Sequence, residues 1–120
     1  MVAVSLKKKV TLIGREGQQP EIKTFESGKH RCQFSLATHE KRKNAQGEVT
    51  EDTQWHAIIL WGALAEIADK YVQKGDLCAL EGKLVYRTYE DSNGHIVNRS
   101  EIHGKDLQIL SPKSGTNPAA

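Results

Sequence analysis

Apolar and polar residues alternate in several short segments of the chain, the pattern that predicts β-strands with one buried face. The strictest alternation, in residues 32–38, puts four side chains on one face: Cys32, Phe34, Leu36 and Thr38. Further strands are predicted at residues 10–14, 53–62, 77–90 and 96–110. Gly82 and Gly104 interrupt the last two strands, so a break or bend is expected at each.

One segment has the period of an α-helix instead. In residues 64–72 the apolar side chains fall at i, i+3, i+4, i+7 and i+8: Leu64, Ile67, Ala68, Tyr71 and Val72. Gly75 follows at a position suited to end a helix. Three predicted strands, one helix and two strands are the order of the OB-fold, an all-β, five-stranded Greek-key barrel with one helix between strands 3 and 4. Other small barrels remain alternatives.

Polar segments connect these elements. Residues 39–52 are basic in their first half and acidic in their second, with a turn signal at Gln46 and Gly47, and predict a long protruding hairpin or loop. Asn93 and Gly94 predict a second hairpin turn. We expect residues 1–110 to form one domain and residues 111–120 a short disordered tail.

Charge is distributed unevenly along the chain. The net charge is only +2, but residues 1–43 contain ten Lys or Arg against four Asp or Glu, whereas residues 44–120 contain seven against eleven. The first third is therefore the candidate anion-binding part. The alternative is that the basic runs at residues 7–9 and 41–43 only solvate an edge strand and a loop.

The cysteines and histidines are not spaced for a metal site. Cys32 and Cys78 are isolated, and none of the five histidines stands at zinc-finger spacing to them. The N-terminus lacks the order of a signal peptide, and Gly62 interrupts the longest apolar run, at residues 57–65. We expect no metal, no cofactor and no membrane association, and an intracellular location.

Both tryptophans lie in one predicted strand. Trp55 and Trp61 have the same parity, so their indoles point to one face, roughly 20 Å apart at about 3.3 Å per residue. Such spacing suits two separate stacking positions for the bases of a single-stranded nucleic acid. Arg87 and Tyr89 share one face of a later strand. The alternative is that one or both indoles belong to the core.

The motifs around the tryptophans resemble those of bacterial single-stranded DNA-binding proteins. TQWHAIILWGALAEIADKYVQKG, residues 53–75, is similar to a family signature that contains T-E-W-H, W/F-G-K-L-A-E and Y-L-x-K-G. KVTLIGREGQQPE at residues 9–21, FSLAT at residues 34–38 and LEGKL at residues 80–84 resemble other family motifs in the same order. The resemblance covers residues 8–110.

The resemblance implies a homotetramer of OB-folds. Such a protein binds and protects single-stranded DNA during replication, recombination and repair, without strong sequence preference and without catalysis. Trp55, Trp61 and Tyr89 match base-stacking aromatics of the family. A fourth family aromatic has no counterpart here, and Arg42 is a partial substitute because a guanidinium can stack on a base and pair with phosphate. Tyr86 is a further stacking candidate.

Cations on the same segments are the candidate phosphate contacts: Lys8, Lys9, Arg15, Lys41, Arg42, Lys43 and Arg87. Ala57, Ala63 and Val85 stand where the family usually has cations, so we expect fewer phosphate contacts than in a typical member. His56 matches a family histidine near subunit contacts and is the candidate oligomer-interface residue. Because its parity turns it away from the indoles, an interior hydrogen-bonded histidine is the alternative.

Two other classes of protein compete with this interpretation. An enzyme is disfavoured because no catalytic motif is present. OB-fold primosomal proteins, usually dimers that bridge other proteins, are the second alternative, and the long helix signature with Trp61 favours the tetrameric binder over them. The family implies a cytoplasmic, nucleoid-associated location. Residues 111–120 lack the family's acidic tip, so partners that depend on that tip are not expected.

Overall fold

The computed structural model describes residues 8–111 as a β-barrel with one helix. The strands are β1 (Lys9–Glu16), β2 (Glu21–Thr24), β3 (His30–Lys43), β4 (Val49–Trp61), β5 (Leu77–Glu90) and β6 (Ile96–Ser111). The helix α1 (Ala63–Tyr71) lies between β4 and β5. Residues 112–120, most of the predicted tail, lie outside the described part of the chain.

Five strands close the barrel in the order β1, β5, β6, β4, β3, and β3 pairs again with β1. All pairs are antiparallel except β4 with β6. β1 pairs with β3 only at Arg15 and Glu16. Gly14 permits this approach, because a Cβ there would overlap the carbonyl group of Ala37. The predicted all-β OB-fold, with its helix between the third and fourth barrel strands, is confirmed.

β2 is the strand that the sequence pattern does not indicate. It has four residues, all exposed, and pairs with β3 outside the five-stranded barrel. Without a buried face it shows no apolar alternation, and Pro20 and Gly28 on either side are loop signals. Its position matters for the surface described below, because Lys23 pairs with Arg31 of β3.

The barrel interior is filled by the inward faces of its five strands and one side of α1, with β1 contributing only partly buried side chains. The buried apolar residues of this core are Cys32, Phe34, Leu36, Ile58, Leu60, Ala65, Ala68, Val72, Cys78, Leu80 and Ile102. At Gly104 a Cβ would overlap the side chain of Leu60, so the glycine lets β6 lie close to the core. The predicted irregularity near Gly82 and Gly104 is present as a register shift between β5 and β6.

The helix buries less of its predicted apolar stripe than the periodicity indicates. Ala68 and Val72 are buried, but Ile67 is 46% exposed and Tyr71 is 60% exposed. α1 has nine residues and packs on the barrel mainly through its small side chains, so the outer edge of the stripe faces away from the core. A periodic apolar pattern predicts the helix, but it does not predict how much of the helix surface packs against the barrel.

Both long hairpins end in turns of the same construction. In residues 44–48 the Asn44 side chain accepts N–H bonds from Gln46 (3.0 Å) and Glu48 (2.9 Å), and Gly47 has a φ of 81°. In residues 91–95 the Asp91 carboxylate accepts the equivalent bonds from Asn93 and His95, at 2.9 Å each. These side chains fix the turn by replacing backbone partners, and the glycine takes the left-handed position.

Candidate nucleic-acid interface

β4 carries both tryptophans on its outward face. Ile58 and Leu60 point into the barrel and are fully buried, whereas Trp55 and Trp61 have the opposite parity. The structure therefore places the two indoles on one face, as their spacing predicts. Their surroundings differ, however, and the two rings have to be considered separately.

The indole of Trp55 is largely exposed to solvent, and its ring packs against the backbone of a neighbouring turn. Its side chain is 63% exposed, and its ring lies against Gly17 in the turn after β1, where a Cβ would overlap Cζ3 of the indole. The Gly17 N–H donates to the carbonyl of Ser35 on β3 at 2.9 Å, which ties that turn to the sheet. A flat aromatic surface on a rigid strand is suited to stacking on a base.

A buried carboxyl group anchors the same turn. Glu16 is 2% exposed, and its Oε1 accepts the N–H of Gln18 at 3.0 Å. Burial raises the pKa of Glu16 to about 8, with a smaller contribution from the charge of Asp76, although N–H bonds from Gln18 and Gly17 act in the opposite direction. The backbone that supports Trp55 is thus connected to a carboxyl group that is mostly protonated at neutral pH.

Trp61 is half-buried and belongs to a cluster of aromatic and cationic side chains. The ring of Phe25 stacks on it with centroids 6.3 Å apart and an interplanar angle of 26°. Lys29 Nζ lies 4.7 Å from the centroid of the Trp61 ring. Lys23 Nζ lies 5.0 Å and the Arg31 guanidinium carbon 5.8 Å from the centroid of Phe25. We call these five residues the Phe25 cluster.

Sequence reasoning missed four of the five members of the Phe25 cluster. The sequence does contain a signal for this cluster. Lys23 and Phe25 are two residues apart before the turn at Gly28, and Lys29 and Arg31 are two residues apart after it. In a hairpin such residues share one face. Because the sequence pattern does not predict β2, the two-residue spacing could not be interpreted as one face of a strand.

The arm formed by the outer halves of β5 and β6 extends the same face. Arg87 pairs with Arg99 and Tyr89 with Val97 in the antiparallel register. The carboxylate of Glu101, which is only 4% exposed, lies 3.6 Å from Arg87 Nη1 and 3.9 Å from Arg99 Nε.

His103 joins this arm to the tryptophans. Its Nε2 lies 3.3 Å from Oε1 of Glu101. Its ring lies 6.4 Å, centroid to centroid, from that of Trp61. The predicted residues Arg87 and Tyr89 thus share one outward surface with Trp55 and Trp61.

Tyr86 lies on the other face of this arm from Arg87 and Tyr89. It is 68% exposed and pairs with Ser100 on the opposite face of the β5–β6 arm from Tyr89. Ser100 also lines a small cleft of about 80 Å³ beside Trp55 and Leu84. The structure therefore separates Tyr86 from Tyr89 by the thickness of the arm, while the cross-strand neighbour of Tyr86 lies beside Trp55.

The predicted cations of the first strand lie apart from the tryptophans. Lys8 is exposed next to β1, and Lys9 forms an ion pair with Glu81 at 2.8 Å. Arg15 is closer, because it pairs with Ala37 and Ala37 pairs with Trp55. Its Nη1 donates to the carbonyl of Gly75 at 3.2 Å. Of these three residues, Arg15 is the one that the strand order brings near the indoles.

The β3–β4 hairpin is less basic than its sequence indicates. Lys41 and Lys43 are exposed, and Arg42 forms an ion pair with Asp52 at 3.1 Å. The strand register places Lys41 opposite Glu51. Residues 40–52 contain three cations and four carboxylates, the latter being Glu40, Glu48, Glu51 and Asp52. Folding therefore returns the acidic half of this segment onto its basic half.

His56 lies on the inward side of β4, as its parity predicts. Its Nε2 is 2.9 Å from Oγ1 of Thr38, and burial lowers its pKa, which favours the neutral imidazole. This is the hydrogen-bonded interior arrangement considered above. The interface role of His56 stays a prediction.

Residues 8–111 contain no group of three metal-ligating side chains arranged to hold an ion. The same part of the chain contains no helix that is long and apolar enough to cross a membrane.

Comparisons with known proteins agree with the motifs and the fold. The sequence pattern of the single-strand binding protein family matches residues 7–110. The chain is 44% identical over 114 residues to the single-stranded DNA-binding protein of Bacteroides thetaiotaomicron, covering 93% of this chain and 70% of the relative. It is 39% identical over 116 residues to single-stranded DNA-binding protein 1 of Chlorobaculum tepidum, covering 93% and 72%.

A solved structure extends the likeness to three dimensions. The Plasmodium falciparum SSB in complex with single-stranded DNA superimposes with a TM-score of 0.83 and 32% identity, over 92% of this chain and all of that one. The predicted family is confirmed, and membership of a binding family agrees with the prediction that the chain is not an enzyme. From its motifs, its barrel and these relatives, the chain belongs to the single-strand binding protein family.

Proposed function

We propose that this protein binds and protects single-stranded DNA without strong sequence preference, and that it serves replication, recombination and repair in the cytoplasm, associated with the nucleoid. Bases stack on Trp55, Trp61 and Tyr89, and cations of the same outward face contact the phosphates. Stacking tolerates any sequence because every base has a π-face, and the phosphate contacts read no sequence at all.

The exposed indole of Trp55 carries this proposal. A large aromatic side chain that stays 63% exposed on a central strand gains little from folding. Gly17 supports its ring and keeps it in place. Relatives whose names state single-stranded DNA binding, and a related structure that contains such DNA, support the same conclusion.

A homotetramer is the second part of the proposal. From Lys9 to Gly14, β1 is paired with β5 on one side only, so its other edge can receive a strand from a second copy. Apolar side chains away from the tryptophans are also exposed, among them Ile13 at 59% and Tyr71 at 60%. Native mass spectrometry distinguishes this assembly from the dimer expected of a primosomal bridging protein.

Binding is tested by fluorescence anisotropy of a labelled dT oligonucleotide, with unlabelled duplex as competitor. We expect the protein to bind the oligonucleotide and the duplex to compete poorly. Trp55→Ala should weaken binding by about 1–3 kcal/mol, roughly 5- to 150-fold in Kd. Its unfolding temperature should stay close to that of the parent, because the ring lies outside the core. Equal affinity for duplex and single strand would contradict the proposal.

A further inference from the structure

We infer that the turn between β2 and β3 is a nucleotide-binding subsite, in which Lys23, Lys29 and Arg31 bind backbone phosphates while Phe25 holds the Trp61 ring in position for a base. This inference rests on the proposed binding of single-stranded DNA. It goes further, because it assigns the main phosphate contacts to residues of the Phe25 cluster instead of the β3–β4 hairpin.

The turn is fixed before any ligand arrives. The Phe25 N–H donates to the Lys29 carbonyl at 2.9 Å, and the Gly28 N–H donates to the Phe25 carbonyl at 2.8 Å. Gly28 has a φ of 85°, the left-handed conformation that a glycine adopts without strain. Phe25 and Lys29 are thereby held at the two ends of one tight turn. A preformed site loses less conformational entropy when it binds.

The three cations of the cluster lie against aromatic rings and form no ion pairs. Within residues 8–110, neither Lys23, Lys29 nor Arg31 forms an ion pair with a carboxylate. Arg31 Nε is buried and has no hydrogen-bond partner. Positive charge that the protein does not neutralise is available to a phosphate.

Among the predicted phosphate contacts elsewhere, Lys8, Arg15, Lys41 and Lys43 also form no ion pair within residues 8–110, but three others do. Lys9 is paired with Glu81, Arg42 with Asp52, and Arg87 approaches Glu101. A phosphate has to displace or share these partners, so each such cation contributes less to binding. In the Phe25 cluster a cation that binds phosphate gives up only its contact with an aromatic ring. Such a cation–π contact is worth about 0.5–1 kcal/mol at an exposed site.

The geometry also gives Phe25 a role. Its ring covers part of Trp61 with an interplanar angle of 26°, so it restricts the tilt of the indole. Lys29 lies over that indole, and its flexible side chain can swing toward a phosphate when a base takes its place. Phe25 is thus a positioning residue, whereas the cations contact the ligand.

The test compares two variants that each remove three positive charges. One carries Lys23→Gln, Lys29→Gln and Arg31→Gln, and the matched control carries Lys41→Gln, Arg42→Gln and Lys43→Gln. Binding of a dT oligonucleotide is measured at several NaCl concentrations. We expect the slope of log K against log salt to become shallower by about 2 in the turn variant, from about 0.7 per phosphate contact, and by less in the control, because Arg42 is paired with Asp52 and Glu51 lies opposite Lys41.

Two further variants keep the test valid if the triple change disturbs folding. Lys29→Gln alone, at an exposed position, should make the slope shallower by about 0.7. Phe25→Leu should weaken binding severalfold at every salt concentration with the slope unchanged, because it removes a ring and no charge.

Equal slopes for the two triple variants, or a larger change in the hairpin control, would overturn the assignment of the phosphates. An unchanged affinity of Phe25→Leu would overturn its positioning role. Failure of the parent protein to bind the oligonucleotide would instead refute the proposed function itself, so the two failures are distinguishable.

Discussion

The contact between Gly17 and Trp55 allows a precise test of the open indole. Gly17 is not in the left-handed region, so Ala is compatible with the backbone there. The added Cβ would nevertheless overlap Cζ3 of Trp55 and lie 3.0 Å from Cη2 of the same ring. Because carbon atoms pack best at about 3.5–4.0 Å, the ring has to move by about 1 Å.

A displaced ring loses part of its stacking with a base. Stacking is worth about 1–3 kcal/mol per base, so Gly17→Ala should weaken binding of a dT oligonucleotide by about 1 kcal/mol, roughly fivefold in Kd. The assay is anisotropy at fixed salt, with thermal unfolding of each variant measured in parallel to show that the barrel is intact.

A double-mutant cycle provides the control. In a Trp55→Ala background the added methyl group has no ring to displace, so Gly17→Ala should change binding there by less than about 0.3–0.5 kcal/mol. If Gly17→Ala weakened binding equally in both backgrounds, its effect would not pass through the indole. The interpretation of Gly17 as the support of Trp55 would then be refuted.

The remaining predictions concern Glu16, Trp61 and Tyr89. The pKa of Glu16 is about 8 in the folded chain against an ordinary 4.5, so the folded state retains a proton that the unfolded state has lost. Stability should therefore fall by about 1.4 kcal/mol per pH unit between those values. Urea unfolding at pH 5, 7 and 9 should show this fall in the parent protein and should lack it in Glu16→Gln, whereas parallel profiles would exclude Glu16 as the cause. Trp61→Ala should lower the free energy of unfolding by about 2–3 kcal/mol in the same assay, and Trp55→Ala by less than about 1 kcal/mol, because only Trp61 is packed between side chains. Equal losses of stability in the two variants would contradict this difference in burial. Tyr89→Ala should weaken binding of the dT oligonucleotide by about 1–3 kcal/mol. Tyr89→Phe should retain most of the binding free energy, since stacking needs the ring and not the hydroxyl group. Equal weakening by both variants would show that the hydroxyl group makes the contact.

The sequence predicted the parts of the fold that depend on periodicity. The strict alternation around Phe34, the parity of Trp55 and Trp61, and the glycine interruption near Gly82 are local patterns, and all three correspond to the structure. β2 was not predicted, because its four residues are all exposed and so show no alternation of apolar and polar side chains. The wide stripe of α1 was misleading because periodicity does not report how much of a helix the barrel covers.

The candidate site was predicted in part, for a related reason. The indoles could be placed by counting along one strand, but the neighbours of each ring come from other elements. Gly17 behind Trp55 and Phe25 against Trp61 depend on strand pairing across the barrel. Charge was misjudged in the same way, since Arg42 is basic in sequence but is paired with Asp52 in the hairpin.

The most direct test of the central claim uses the two tryptophans as separate reporters. Trp61→Phe leaves Trp55 as the only tryptophan, and Trp55→Phe leaves Trp61. Each protein is titrated with poly(dT) and with duplex DNA while its emission is recorded. We expect strong quenching of the Trp55 emission by poly(dT) and little change with duplex DNA. An unchanged Trp55 emission at saturating poly(dT), with binding confirmed by anisotropy, would show that DNA binds elsewhere on the barrel.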